Sequence, residues 1–188
     1  MSENYLSERK MKKAVLTGLV LIILNGCNTL TTTNVHRPDP LQYLTHAGYQ
    51  RDLETVIIGN LPSHSRSQLE KMVIDSLVAN YGFVHANFTT TPSKNHLAPY
   101  KIIFVFNAAQ QSYSDDFCAG KGEIERREPS KKLFVTAIFC EKSAITDVAA
   151  YVDYHGKDKA LNLAKAIDDL AQNLVPLENE IDIFNYKT

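Results

Sequence analysis

KLFVTAIFC (132–140) and AITDVAAYVDY (144–154) lie either side of Glu141, Lys142 and Ser143, and this pair of runs decides how the chain folds. Each is rich in β-branched and aromatic residues, and the three polar residues between them are enough for a tight reversal. The pattern predicts an antiparallel hairpin. Upstream, YKIIFVFN (100–107) is nearly all apolar, which suits a central strand covered on both faces rather than one with a solvated side.

Working outward, LETVIIGNL (53–61) reads as a first strand ended by Gly59, Asn60 and Pro62. SRSQLEKMVIDSLVANYG follows as an amphipathic helix. Ser65 and Gln68 have the spacing of a capping box, and Leu69, Met72, Val73, Leu77 and Tyr81 fall on one stripe, with Gly82 as the stop. FVHANFTTTPSKNHLAP (83–99) is a polar connection with room for an edge strand at 83–88. After the hairpin, Asp158 can cap a last helix, KALNLAKAIDDLAQNL, whose buried stripe is Leu163, Ile167, Leu170, Ala171 and Leu174, with Pro176 beyond it. The expected order is β-α-β-β-β-α. The expected fold is an α+β two-layer sandwich, with a mostly antiparallel sheet of three to four strands and two helices on one face.

The chain has 188 residues, room for one domain of ordinary size with extensions. At 44% hydrophobic and 22% charged it has a globular composition, and a net charge of −1 gives no basic face for nucleic acid. The domain is placed at 54–176, with a polar tail, LENEIDIFNYKT, at 177–188. Before it, NTLTTTNVHRPDPLQYLTHAGYQRDL holds no sustained period, so 27–53 reads as a tether with one short docking turn at Leu41–Leu44.

The first 26 residues read as an address. Ala14 to Leu24 is an apolar run of eleven positions, too short for the roughly 20 that span a bilayer but right for the core of a secretory signal. Arg9, Lys10, Lys12 and Lys13 supply its positive flank, and Met11 is a second candidate start. Without residues 1–26 the remainder carries a net −3. Leu24-Asn25-Gly26-Cys27 then resembles the lipobox of bacterial lipoproteins, with a large aliphatic at −3, a small residue at −1 and the lipid-accepting cysteine. The resemblance implies a thioether-linked diacylglycerol on Cys27, cleavage before it and a further acyl chain on the new N-terminus. Two or more chains anchor stably where one holds only marginally. By the family's sorting pattern Asn28, in place of Asp, favours the outer membrane over the inner.

Export would place Cys118 and Cys140 in an oxidising compartment, where a pair tends to become a disulfide. The alternatives are a thiol nucleophile, for which no histidine between Lys101 and Tyr154 offers a base, and a metal site, for which the CxxC spacing is absent. Val-Phe-Asn (105–107), Cys118-x-Gly120 and Ala-x-Phe-Cys (137–140) together resemble a group of small proteobacterial lipoproteins of unknown function. That resemblance covers about 55 residues, supports the paired cysteines and implies no activity.

Candidate chemistry is sparse. Asp115 and Asp116 are adjacent carboxylates capable of acid–base work, though Ser-Asp-Asp also suits a turn. His85 and His96 flank a polar loop without a third ligand, and EIERREP (123–129) alternates sign as a solvated loop does. Asn87-Phe-Thr89 matches a glycosylation sequon, which carries little weight beside a lipobox. No phosphate loop, nucleophile elbow or zinc-protease motif is present, so neither a cofactor nor a metal is expected. The expected function is that of a lipid-anchored, periplasm-facing envelope module, non-enzymatic, binding a protein or glycan partner. A periplasmic hydrolase of cell wall or lipid, built on Asp115, Asp116 or a histidine, is the alternative. A carrier of small hydrophobic ligands between helices and sheet is the third possibility.

Overall fold

The computed structural model describes residues 31–109, 112–125 and 131–176. The signal segment, Cys27 and the 177–188 tail lie outside the described residues, as do 126–130 of the charged loop. Six strands form one mixed sheet: β1 (Thr31–Val35), β2 (Asp52–Ile58), β3 (Asn87–Thr89), β4 (Tyr100–Phe106), β5 (Lys132–Glu141) and β6 (Ser143–Asp153). Across the sheet the order is β1-β6-β5-β4-β2-β3. The hairpin forms as expected, β5 against β6, with Lys142 at φ 63° making the reversal between Glu141 and Ser143. β1 joins β6 and β4 joins β5 antiparallel, while β2 runs parallel to both β4 and β3.

Four helices accompany the sheet: α1 (Pro40–Gly48), α2 (Arg66–Tyr81), α3 (Ser114–Cys118) and α4 (Lys159–Leu174). α2 and α4, the two helices read from the sequence, pack on one face. The Ser65–Gln68 capping box is complete, with each side chain bonded to the other residue's backbone amide. Leu69, Val73 and Leu77 of α2 and Leu163, Ile167 and Leu170 of α4 are buried against Leu53, Ile102, Phe104, Leu133 and Val135 of the sheet. Nearly all of β4 is buried on both faces, which explains its unbroken apolar run.

Three expectations are corrected. The described residues form six strands rather than three or four and four helices rather than two, the stretch placed in a tether is built into the fold, and the edge strand before β4 is displaced. Thr31–Val35 pairs with β6 as an edge strand, and 40–48 is a helix whose Leu44 and Ala47 are fully buried. Polar Thr and Asn hid the strand because an edge strand at a solvated margin needs few apolar residues. Arg37 then fastens the connection, reaching the Glu141 carboxylate and donating to Ser143 Oγ at 2.7 Å. That ion pair holds the Glu141 carboxyl below its ordinary range and raises the Arg37 guanidinium. The expected edge strand at 83–88 is shorter and later, at Asn87–Thr89, after a 3₁₀ turn at Gly82–Val84.

At one end of the sheet, β2 turns at Gly59 into the loop before α2. Gly59 has φ 91°, and a Cβ built there would lie 2.2 Å from the Phe106 carbonyl oxygen of β4, so only glycine fits. At the other end, side chains complete the last turn of α4. Tyr81 Oη donates to the Ala171 carbonyl, and Thr146 Oγ1 donates to that of Leu174 at 2.6 Å. These satisfy carbonyls that a helix end leaves without partners.

Candidate functional site

The sheet face turned away from α2 and α4 is covered over only part of its area. On that face Ile103, Val105 and Ile138 form a small second core with Phe117, Cys118 and Cys140. The cysteines are joined as a disulfide with Cα atoms 5.7 Å apart. The bond staples α3 to the sheet above β5. Gly122 lets the following loop pass over Phe117, since a Cβ there would meet the ring at 2.1 Å.

Beside α3 the face opens into a groove of about 440 Å3 lined by Asn34, His36, Ser112, Tyr113, Ser114, Asp115, Phe117, Phe134, Thr136, Asp147 and Ala149. Strand register explains the lining. Asn34, Asp147 and Ile138 stand opposite one another on β1, β6 and β5, and Thr32, Ala149 and Thr136 form the next row. The row at Asp147 puts a carboxylate, 5% exposed, on an otherwise apolar strand. It accepts a bond from Asn34 Nδ2 at 2.8 Å through Oδ1, and its Oδ2 lies 2.5 Å from His36 Nε2.

Thr136 is the unusual member. It is 7% exposed, and its hydroxyl makes no hydrogen bond to another described residue. Among the described residues no fully buried side-chain polar atom lacks a partner, so solvent reaches this hydroxyl through the groove. A buried hydroxyl usually has a protein partner. Here the partner has to come from whatever fills the groove. The rings of Phe134 and Tyr151, 4.8 Å apart, form an apolar shoulder on the same face. The arrangement can bind a polar molecule through hydroxyl, amide and imidazole groups while an apolar surface lies alongside.

The sequence-derived candidates lie elsewhere or do structural work. Asp115 Oδ1 accepts the Ala144 amide at 2.7 Å and ties α3 to the start of β6. Asp116 Oδ2 accepts the Tyr113 amide at 3.1 Å, and its carbonyl takes the amides of Lys121 and Gly122. His85 stands against the Tyr49 ring, and His96 Nδ1 bonds the Ser93 carbonyl at 2.9 Å, so neither joins Asp115. The four residues nominated for hydrolysis are not brought together. His36 and Asp147 do form an imidazole–carboxylate pair, yet among the described residues no hydroxyl bonds the His36 ring as a nucleophile would. Among the described residues no group of three or more His, Cys, Asp and Glu side chains is placed to hold a metal ion.

Asn34, His36, Thr136 and Asp147 went unread in the sequence. Asn34 and His36 fell in the presumed tether, and their partner is known only from strand register. Asp147 did carry a signal, because an aspartate inside AITDVAA is rarely buried without a purpose. No protein-family model, no curated protein and no solved structure matches the chain.

Proposed function

We propose that the protein is a lipid-anchored lipoprotein of the cell envelope, exposed to the periplasm and held at the outer membrane. There it works as a non-enzymatic accessory or binding module whose partner occupies the groove beside α3. The anchor rests on the basic flank, the eleven-residue apolar run and Leu24-Asn25-Gly26-Cys27. The Cys118–Cys140 disulfide suits an oxidising compartment. The observation that supports the binding role is Thr136, a nearly buried hydroxyl facing the groove without a partner among the described residues, near the Asp147 carboxylate that holds Asn34 and His36. A hydroxyl open to the groove and bonded to no described residue is free to bond whatever occupies the groove.

Two measurements test the two parts. Mass spectrometry of the mature N-terminal peptide is expected to give an acylated Cys27, and Cys27→Ala an uncleaved, unacylated chain. A photocrosslinking residue at Tyr113 on the groove rim is expected to capture a reproducible envelope component, while the same residue at Lys165 on α4 does not. Capture that is equal at both positions, or absent at Tyr113, would remove the binding role.

A further inference from the structure

We infer that the end of the sheet at which β1 begins lies against the phospholipid headgroups, so that the Asn34 and His36 end of the groove lies away from the bilayer. The inference rests on the anchoring reading of Cys27 and adds an orientation to it. Thr31, the first residue of β1, stands opposite Ala150 near the end of β6. Strand directions bring to that same end the start of β5 at Lys132 and the ends of β2 and β4. Both long helices also begin there, α2 after the loop from β2 and α4 after β6.

Cys27 is four positions before Thr31. Four residues reach at most about 14 Å. The headgroup region on each side of a bilayer is about 5–8 Å deep. A lipid on Cys27 therefore leaves little room between this end and the membrane surface, whereas the expected 27-residue tether would have left the domain free to tumble. The side chains at this end suit contact with headgroups. Tyr151 is 49% and Leu161 70% exposed, and Lys131, Lys132 and Lys157 are exposed at the same end of the sheet. Lysines and exposed aromatic or aliphatic side chains are the residues that settle at a lipid interface, the ammonium groups at the phosphates. Asp153, Asp158 and Glu125 are also here, with Asp153 directly opposite Lys132, so attraction to phosphate is modest and the short reach of the chain does most of the orienting. At the far end of β1, Asn34 and His36 stand about 10–17 Å farther from the membrane.

The chain contains no tryptophan, so one can be placed as a reporter. The lipidated protein is reconstituted into vesicles of phosphatidylethanolamine and phosphatidylglycerol that carry a quenching nitroxide on a fraction of the headgroups. Tyr151→Trp and Leu161→Trp are each expected to be quenched at least about twofold more than Phe83→Trp, which sits past the other end of α2. Protein that is acylated and floats with the vesicles, yet is quenched equally at all three positions or most at Phe83→Trp, overturns the orientation alone. Protein that carries no acyl chain and does not float overturns the anchoring reading, and the orientation with it.

Discussion

The Tyr81 hydroxyl, at the end of α2, accepts the Val175 amide at 2.9 Å while donating to the Ala171 carbonyl, and so holds the last turn of α4. Burial pushes this phenol well above its ordinary 10.0, against a weaker downward pull from the Val175 amide. The folded protein therefore keeps the proton after the unfolded chain has lost it. The stability from this group is complete below pH 10.0 and is lost as pH rises beyond it. Tyr81→Phe leaves an amide and a carbonyl unpaired in a buried place and is expected to cost about 1–3 kcal/mol at neutral pH. It should also flatten the alkaline fall in stability. Urea midpoints measured near pH 8 and near pH 11 check both, and an unchanged alkaline slope would count against this role for the phenol.

Reducing the Cys118–Cys140 disulfide, whose sequence separation is 22, is expected to lower stability by about 3 kcal/mol through the freer unfolded chain. The loss should be felt first on the groove side, because the bond joins α3 to the sheet and covers Phe117. Hydrogen exchange with and without reductant is expected to show amides of 114–122 losing protection before those of α2 and α4. Uniform loss across the molecule would mean that α3 does not open on its own.

Asp52 organises the loop beside β3. Its carboxylate accepts Asn87 Nδ2 and the Ser93 amide, each at 2.7 Å, and these bonds lower its pKa from 3.8 to about 2. A depressed carboxyl contributes above its unfolded value, and the contribution is lost as pH falls through about 2. The side-chain amide resonances of Asn87 are therefore expected to move between pH 4 and pH 2 in step with Asp52 titration. In Asp52→Asn that movement should vanish and the Ser93 amide should exchange faster.

Gly59→Ala is expected to destabilise strongly, by about 2–4 kcal/mol, since both its positive φ and the Phe106 carbonyl exclude a Cβ. Gly82→Ala serves as the control. No atom lies within 4 Å of the Cβ it would add, and its backbone is helical. Thermal melts that show equal losses at the two glycines would mean that the β2–α2 turn relaxes around the new methyl.

How far the sequence was legible follows from which physical signals are local. The β5–β6 hairpin, the doubly covered β4 and the stripes of α2 and α4 are written in periodicity and caps within a dozen residues. β1 and α1 are not, because their stability comes from partners far along the chain. Thr31–Val35 is polar and gains its place by pairing with 146–150, and Pro40–Gly48 contributes mainly Leu44 and Ala47 to the core. The groove has the same cause. Asn34, Asp147 and Thr136 lie on three separate strands, with His36 just past β1, and only sheet register sets them side by side. The adjacent pair Asp115–Asp116 looked chemical because the sequence shows neighbours along the chain, yet each serves a backbone amide.

The groove itself yields a contrast between two substitutions. Thr136→Val keeps the side chain's shape and removes a hydroxyl that bonds no described residue, so stability is expected to change by less than about 0.5 kcal/mol. Asp147→Ala removes the acceptor of Asn34 and the partner of His36, and is expected to cost about 1–3 kcal/mol and to speed exchange in the β1 amides. Function should divide differently from stability. If the hydroxyl is held for a bound partner, Thr136→Val weakens photocapture at Tyr113 although the fold is as stable as before. A Thr136→Val chain that is markedly destabilised would show that the hydroxyl has a protein acceptor. One that is stable and captures as well as the parent would show that the partner does not use the groove floor.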